Sequence, residues 1–121
     1  MQTENQEKGQ KGEQLASEYL TSVGYTILET NWRVGHLEVD IIASNEDMLL
    51  FIEVKTRKSN LFGEPEDFVG LPKQRNLIRA ANIYISKTGI TKEVRFDIVS
   101  VILNEGIQSV KHIEDAFKPH W

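Results

Sequence analysis

The stretch Met48–Val54 most constrains what this chain can fold into. It is short, rich in branched and aromatic side chains, and bounded by polar turns, so it predicts a buried strand continuing to Thr56. Such a strand should not carry Glu53 and Lys55 without a reason. Side chains alternate across a strand, so the two share one face. Burying both unpaired would cost several kcal/mol, roughly. Either they neutralise each other or they line a wet site at the end of a sheet.

The preceding segment, Leu37–Ala43, reads as an antiparallel partner joined through Ser44-Asn45-Glu46-Asp47. Strict alternation puts Glu38, Asp40 and Ile42 on one face and Leu37, Val39, Ile41 and Ala43 on the other. A turn centred on Glu46 and Asp47 sets Asp40 opposite Glu53 and Glu38 opposite Lys55. A slip of one residue would abolish that opposition.

The rest of the chain frames this hairpin. Residues 1–8 are polar and read as a disordered tail, and residues 9–121 as a single domain. A helix is predicted from Lys11 to Val23, with Leu15, Ala16, Tyr19, Leu20 and Val23 on one face and Gly24 ending it. Glu13 flanks that face, as a solvated carboxylate aiding the helix dipole or as a contributor to the hairpin site. Tyr25–Arg33 reads as a first strand. After a loop from Arg57 to Pro65, with a turn at Phe62-Gly63-Glu64-Pro65, a second helix starts at Pro72 or Lys73 and runs to about Ser86. Glu93–Leu103 is a fourth strand. Ile107–Ile113 reads as an edge strand, followed by a helical turn over Glu114–Phe117. The resulting class is α/β.

Composition excludes several functions. The 121 residues contain no cysteine, which removes disulfides and thiolate metal sites and fits a reducing, cytoplasmic compartment. No apolar run approaches the roughly 18 residues of a membrane span, and the N-terminal stretch has no apolar signal core. The net charge of −4 means that nucleic-acid binding must rest on a local basic patch. Lys55, Arg57 and Lys58 form one such cluster, and Lys73, Arg75 and Arg79 line one side of the second helix. His36, His112 and His120 show no metal-ligand spacing and read as surface residues. Trp32, Tyr84 and Phe96 read as core. Trp121 has no assigned role.

Two carboxylates at hydrogen-bonding separation repel unless a proton or cation joins them. Mg²⁺ or Mn²⁺ takes oxygen ligands and is held by one or two carboxylates together with substrate phosphate. A neighbouring lysine can orient a water or stabilise developing negative charge. Asp40, Glu53 and Lys55 thus make a coherent phosphodiester-hydrolysing set. The residues alone equally allow a Glu53–Lys55 ion pair, with Asp40 paired to Arg57 or Arg95.

Further features run along nearly the whole chain. They are Gly12-Glu13 with Ala16 and Tyr19-Leu20, then Gly24-Tyr25, Asn31-Trp32-Arg33 and Glu38-Val39-Asp40-Ile41-Ile42-Ala43. Next come Phe51-Ile52-Glu53-Val54-Lys55-Thr56-Arg57, Phe62-Gly63, Pro65, Lys73, Ala81, Tyr84 and Arg95-Phe96-Asp97-Ile98-Val99. In this ordered set the chain resembles the YraN-like family of the restriction-endonuclease-like (PD-(D/E)XK nuclease) superfamily. The resemblance implies a central mixed sheet with an antiparallel hairpin, flanked by helices. It implies Asp40, Glu53, Lys55 and the helix carboxylate Glu13 as catalytic residues. Asp40 and Glu53 become the ligands of Mg²⁺ or Mn²⁺, with Arg57, Lys58 and Lys73 toward nucleic acid. Val39 stands where the superfamily motif has proline, and Leu37 where the family often has glycine. The implied activity is metal-dependent hydrolysis of DNA, with branched or damaged DNA as candidate substrates and a homodimer as a candidate assembly. A non-catalytic nucleic-acid-binding module and a protein-interaction subunit are the alternatives on the same fold.

Overall fold

Asn45 builds the turn of the central hairpin. Its Oδ1 accepts the backbone N–H groups of Asp47 and Met48 at 2.9 and 2.8 Å, while its own N–H donates to the Met48 carbonyl at 3.0 Å. An Asn side chain that captures the backbone two residues on is a common turn-former. The computed structural model describes residues 3–58 and 69–119. In chain order these form α1 (Glu4–Ser22), β1 (Thr26–Val34), β2 (Leu37–Ser44), β3 (Met48–Arg57), α2 (Leu71–Thr88), β4 (Glu93–Asn104) and β5 (Ile107–Phe117). The expected turn at Phe62–Pro65, His120 and Trp121 lie outside the described residues.

The strands make one sheet in the order β1-β2-β3-β4-β5. All neighbours are antiparallel except β3 and β4, which run parallel with Phe51 beside Phe96 and Glu53 beside Ile98. A parallel pair needs a crossover, and α2 lies in it. Each sheet face buries one helix. On one side Leu49, Phe51, Phe96 and Ile98 pack with Leu77, Ala80, Ala81 and Tyr84 of α2. On the other, Leu50, Ile52, Val99 and Val101 pack with Ala16 and Leu20 of α1. This is the expected α/β architecture, a mixed sheet flanked by helices, consistent with a restriction-endonuclease-like fold. Trp32 is half-buried and meets Tyr84 edge-on at 5.2 Å, so these aromatics and Phe96 are core as expected.

Several local expectations are corrected. Helix α1 begins at Glu4, inside the stretch read as a tail and well before Lys11. A capping box explains this: Thr3 Oγ1 accepts from the Gln6 N–H at 3.1 Å and the Thr3 N–H donates to Gln6 Oε1 at 2.9 Å. Val23, expected on the buried face, is exposed. Gly24 does end the helix, at φ +101°. Residues 114–117 continue β5 rather than forming a helical turn. There Asp115 adopts φ +54°, its N–H donates to Asp97 Oδ1 at 3.0 Å, and Phe117 stacks on Phe96 at 5.0 Å.

His112 is not a surface residue: its side chain is 5% exposed. It belongs to a polar cluster on the α1 side, centred on the fully buried Asp97 carboxylate. Arg95 donates to both Asp97 oxygens at 2.9 Å, and His112 Nε2 lies 2.7 Å from Oδ2. Arg95 also donates to the Tyr25 hydroxyl at 3.0 Å, and His112 Nδ1 lies 3.2 Å from the Tyr19 hydroxyl. The cluster thereby ties α1 and the start of β1 to β4 and β5. Burial works to raise the Asp97 pKa, but donors from His112, Arg95 and the Asp115 backbone outweigh it and hold the carboxyl below its ordinary 3.8.

Asp97→Ala leaves Arg95 without its main counter-charge and should cost about 3–5 kcal/mol in urea unfolding at pH 7. A carboxyl with a depressed folded pKa contributes stability above its unfolded value and loses it as pH falls through the folded value. The gap between wild type and variant should therefore narrow below about pH 4. A gap independent of pH would show that the Asp97 charge is not the stabilising feature.

Candidate active site

The hairpin register is as expected, with Ile41 beside Ile52, Ile42 beside Phe51 and Ala43 beside Leu50. The ladder stops at the Ile41–Ile52 rung. Asp40 and Glu53 lie just beyond it, and the backbone N–H of Val54 donates to Asp40 Oδ2 at 2.9 Å. A side-chain carboxylate here takes a main-chain donor where the two strands part.

The strand also changes face at this point. Ile41 and Ala43 pack on the α1 side, whereas Leu37, Val39 and Ile42 pack on the α2 side. The uninterrupted alternation expected for β2 therefore fails between Val39 and Ile41, at Asp40. Across the sheet, Asn31 of β1 adopts φ +50° between the rungs Thr30–Ile41 and Trp32–Val39. Both strands depart from regular geometry at one level. Asp40 thus stands between the two helical layers and feels groups from each.

Helix α1 supplies Glu13. Buried Gly12 lets the helix approach β3 closely: a Cβ there would overlap Thr56 Oγ1 and lie 3.0 Å from Thr56 Cβ and Cγ2. The next residue, Glu13, accepts a hydrogen bond from Asn31 Nδ2 at 3.1 Å. Glu13 and Asn31 also line a polar groove of about 390 Å³ with Gln6, Gly9, Gln10 and Arg33. Helix α2 supplies Lys73 in its first turn, after Pro72 has fixed the start of the helix.

Beyond Phe51, alternation carries Glu53 and Lys55 to the α2 side. The Glu53 side chain is 15% exposed, and Lys73 Nζ lies 3.5 Å from Glu53 Oε2. That is ion-pair range, yet buried Oε2 accepts no hydrogen bond among the described residues. The contact is a loose electrostatic one at the outer limit of hydrogen bonding. Burial accordingly keeps the Glu53 pKa raised, although Lys73 and Lys55 pull it down.

Asp40 is pushed from 3.8 to about 7, first by burial and then by Glu53, with Glu13 adding to the rise. The Val54 N–H and Lys73 oppose this without cancelling it. The shift corresponds to on the order of 4 kcal/mol against the charged form. A site that holds two carboxylates at that penalty suits a proton or a cation. Among the described residues no three His, Cys, Asp or Glu side chains converge as a metal cluster. Asp40 and Glu53 could hold a cation as a pair, with Glu13 near enough to add to the rise of the Asp40 pKa.

Several expected partners differ. Glu38 pairs with Arg33, its neighbour across β1–β2, at 3.5 Å, and the hairpin ladder does not extend to a Glu38–Lys55 rung. Arg95 pairs with Asp97, not Asp40. Lys73, expected toward nucleic acid, has a half-exposed side chain whose Nζ lies 3.5 Å from Glu53 Oε2. Arg57 is half-buried at the end of β3 and Lys58 is exposed just beyond it. Asn31 carries no sequence signal of a place at the site: a non-glycine residue with positive φ leaves no periodic pattern, although asparagine is among the types that tolerate it.

A model of the uncharacterised protein family UPF0102 matches residues 12–101, a span that includes Glu13, Asn31, Asp40, Glu53, Lys55 and Lys73. The chain is 46% identical over 116 residues to a UPF0102 protein of Bacteroides thetaiotaomicron, covering 96% of each chain. It is 46% identical over 114 residues to one from Christiangramia forsetii, covering 94% of this chain and 96% of that one. Similarity extends to a UPF0102 protein of Syntrophomonas wolfei, 41% identical over 114 residues.

An acid with a raised folded pKa binds its proton more tightly in the folded state. Stability is therefore lost as pH rises from the unfolded value toward about 7. Asp40→Asn keeps an acceptor for the Val54 N–H and removes the charge. At about pH 8, without divalent cations, it should stabilise the protein by about 1–3 kcal/mol in urea unfolding. Near pH 4 the gain should vanish. An Asn variant less stable than wild type at pH 8 would contradict the strain assigned to Asp40.

Proposed function

The chain belongs to the uncharacterised protein family UPF0102, and we propose that it is a divalent-metal-dependent nuclease hydrolysing DNA phosphodiester bonds. The observation that carries this reading is the pair Asp40 and Glu53, half-buried together beyond the last rung of the hairpin. Glu53 Oε2 is buried without a hydrogen-bond donor among the described residues. A plain ion pair is the rival reading. Lys73 offers Glu53 partial neutralisation, but it leaves Asp40 strongly raised and so does not account for the pair.

The donor set fits Mg²⁺ or Mn²⁺. It is all oxygen, it is partly dehydrated, and its charges repel each other until a cation joins them. When bound, such a cation supplies charge neutralisation at a phosphate and a more acidic water. Asp40 and Glu53 would hold it. The protein's own groups do the rest. Lys55 lies on the Glu53 face of β3 and is placed to orient a water or stabilise charge developing on a phosphate oxygen. Glu13 adds a carboxylate from the opposite helix. Arg57 and Lys58, following Lys55 along the chain, suit contacts to flanking phosphates.

The net charge of −4 means that nucleic-acid contact must rest on a local basic patch, and the Lys55, Arg57 and Lys58 cluster at this end of the sheet supports that reading. Branched or damaged DNA is the proposed substrate class, and a homodimer would let two such sites act on two strands. The absence of cysteine suits a reducing, cytoplasmic setting. Among the described residues no helix is long and apolar enough to cross a membrane.

Linear, nicked, flapped and four-way DNA incubated with Mn²⁺ tests the reading. The wild type should cleave at least one form, whereas Asp40→Asn, Glu53→Gln and Lys55→Ala should each lower the rate by about 100-fold or more while remaining folded. No cleavage of any form by pure wild type, or equal cleavage by Glu53→Gln, would overturn it.

A further inference from the structure

Asn31 has an unusual position. It is exposed, yet it holds the left-handed conformation at φ +50° in the middle of a strand. The rungs on either side of it, Thr30–Ile41 and Trp32–Val39, place it at the level of Asp40. That conformation is mildly unfavourable for a side-chain-bearing residue and does not extend the β1–β2 pairing. Among the described residues the Asn31 side chain donates from Nδ2 to Glu13 Oε2 at 3.1 Å.

The contact spans the layer between α1 and the sheet. Gly12 fixes how closely α1 lies on β3, through its approach to Thr56. Gly12 sets the height of the helix, and Glu13 and Asn31 both line the groove that Gln6, Gly9, Gln10 and Arg33 complete. The Asn31 amide gives the Glu13 carboxylate a fixed partner on the sheet. A carboxylate beside a metal site that is itself hydrogen-bonded is the usual arrangement by which outer groups orient inner ones.

We propose that Asn31 is a positioning residue, whose amide holds the Glu13 carboxylate toward the Asp40–Glu53 pair and thereby strengthens divalent-cation binding there. It acts through Glu13 and touches neither cation nor substrate. The inference rests on the metal-dependent reading above.

Asn31→Gly isolates the amide, because glycine adopts φ +50° freely and keeps the strand geometry. Mn²⁺ titration calorimetry on the wild type, Asn31→Gly, Glu13→Gln and the double variant reads the effect directly, with thermal unfolding as the check on folding. Asn31→Gly should unfold within a few degrees of wild type and bind Mn²⁺ about tenfold more weakly. In the Glu13→Gln background the same change should have little further effect, since the interaction it removes is already altered. Asn31→Asp, which keeps the backbone preference but replaces the donor with a charge, should weaken binding at least as much. Unchanged Mn²⁺ affinity in Asn31→Gly, or an equal loss in both backgrounds, would overturn the positioning role while leaving the metal site standing. A wild type that binds no Mn²⁺ would overturn the metal-dependent reading itself and this inference with it.

Discussion

The hydrogen bond from the Val54 N–H to Asp40 Oδ2 is the contact on which the site depends. By occupying a main-chain donor, a side chain ends the β2–β3 ladder one rung before two carboxylates would face each other inside it. The strands part, β2 changes face, and Asp40 comes to stand between the helical layers. Glu13 reaches this level from α1 and Lys73 from α2. The β2–β3 ladder is unbroken from Ser44–Leu49 to Ile41–Ile52, and Asp40 and Glu53 lie just past its last rung.

Two aspartates show how differently the fold treats one residue type. Asp97 is fully buried and accepts bonds from both Arg95 donors, His112 and the Asp115 backbone, so its carboxyl stays charged. Asp40 is less buried, but the described residues give it one backbone donor, and Glu53 repels it. Donor supply decides the direction of each pKa shift more than depth does. Asp97 is therefore a fastening for α1, β1 and β5. Asp40 carries a penalty that the fold leaves uncompensated, a pattern expected where binding or catalysis needs it.

Much of this was legible in the chain. The apolar run of β3, the Asn45 turn and the alternation of β4 specify the hairpin and the α/β class. They also gave the register, because Glu46-Asp47 leaves few ways to close the turn. Glu53 and Lys55 stood out because charged residues in a buried strand demand an account. Other features were hidden for physical reasons. Period-two patterning cannot show where a ladder breaks, so it puts Ile41 and Val39 on one face, whereas the structure packs them on opposite sides. A positive φ at Asn31 or Asp115 has no spacing signature. His112 became a core residue only because Asp97 and Tyr19 meet it across 15 and 93 residues of chain. Lys73 reads as a helix cation toward nucleic acid, and its proximity to Glu53 depends on how α2 crosses the sheet.

The central claim is that Asp40 and Glu53 are held together for a divalent cation. Mn²⁺ titration calorimetry between about pH 5.5 and pH 8 tests it most directly, with wild type and Glu53→Gln side by side. A site whose Asp40 carboxyl titrates at about 7 must release a proton to bind metal. Wild-type affinity should therefore rise by up to about tenfold per pH unit below pH 7 and level off above it. Glu53→Gln should lose most of that binding. No detectable binding by the wild type, or binding that ignores both pH and the Glu53 substitution, would contradict the claim.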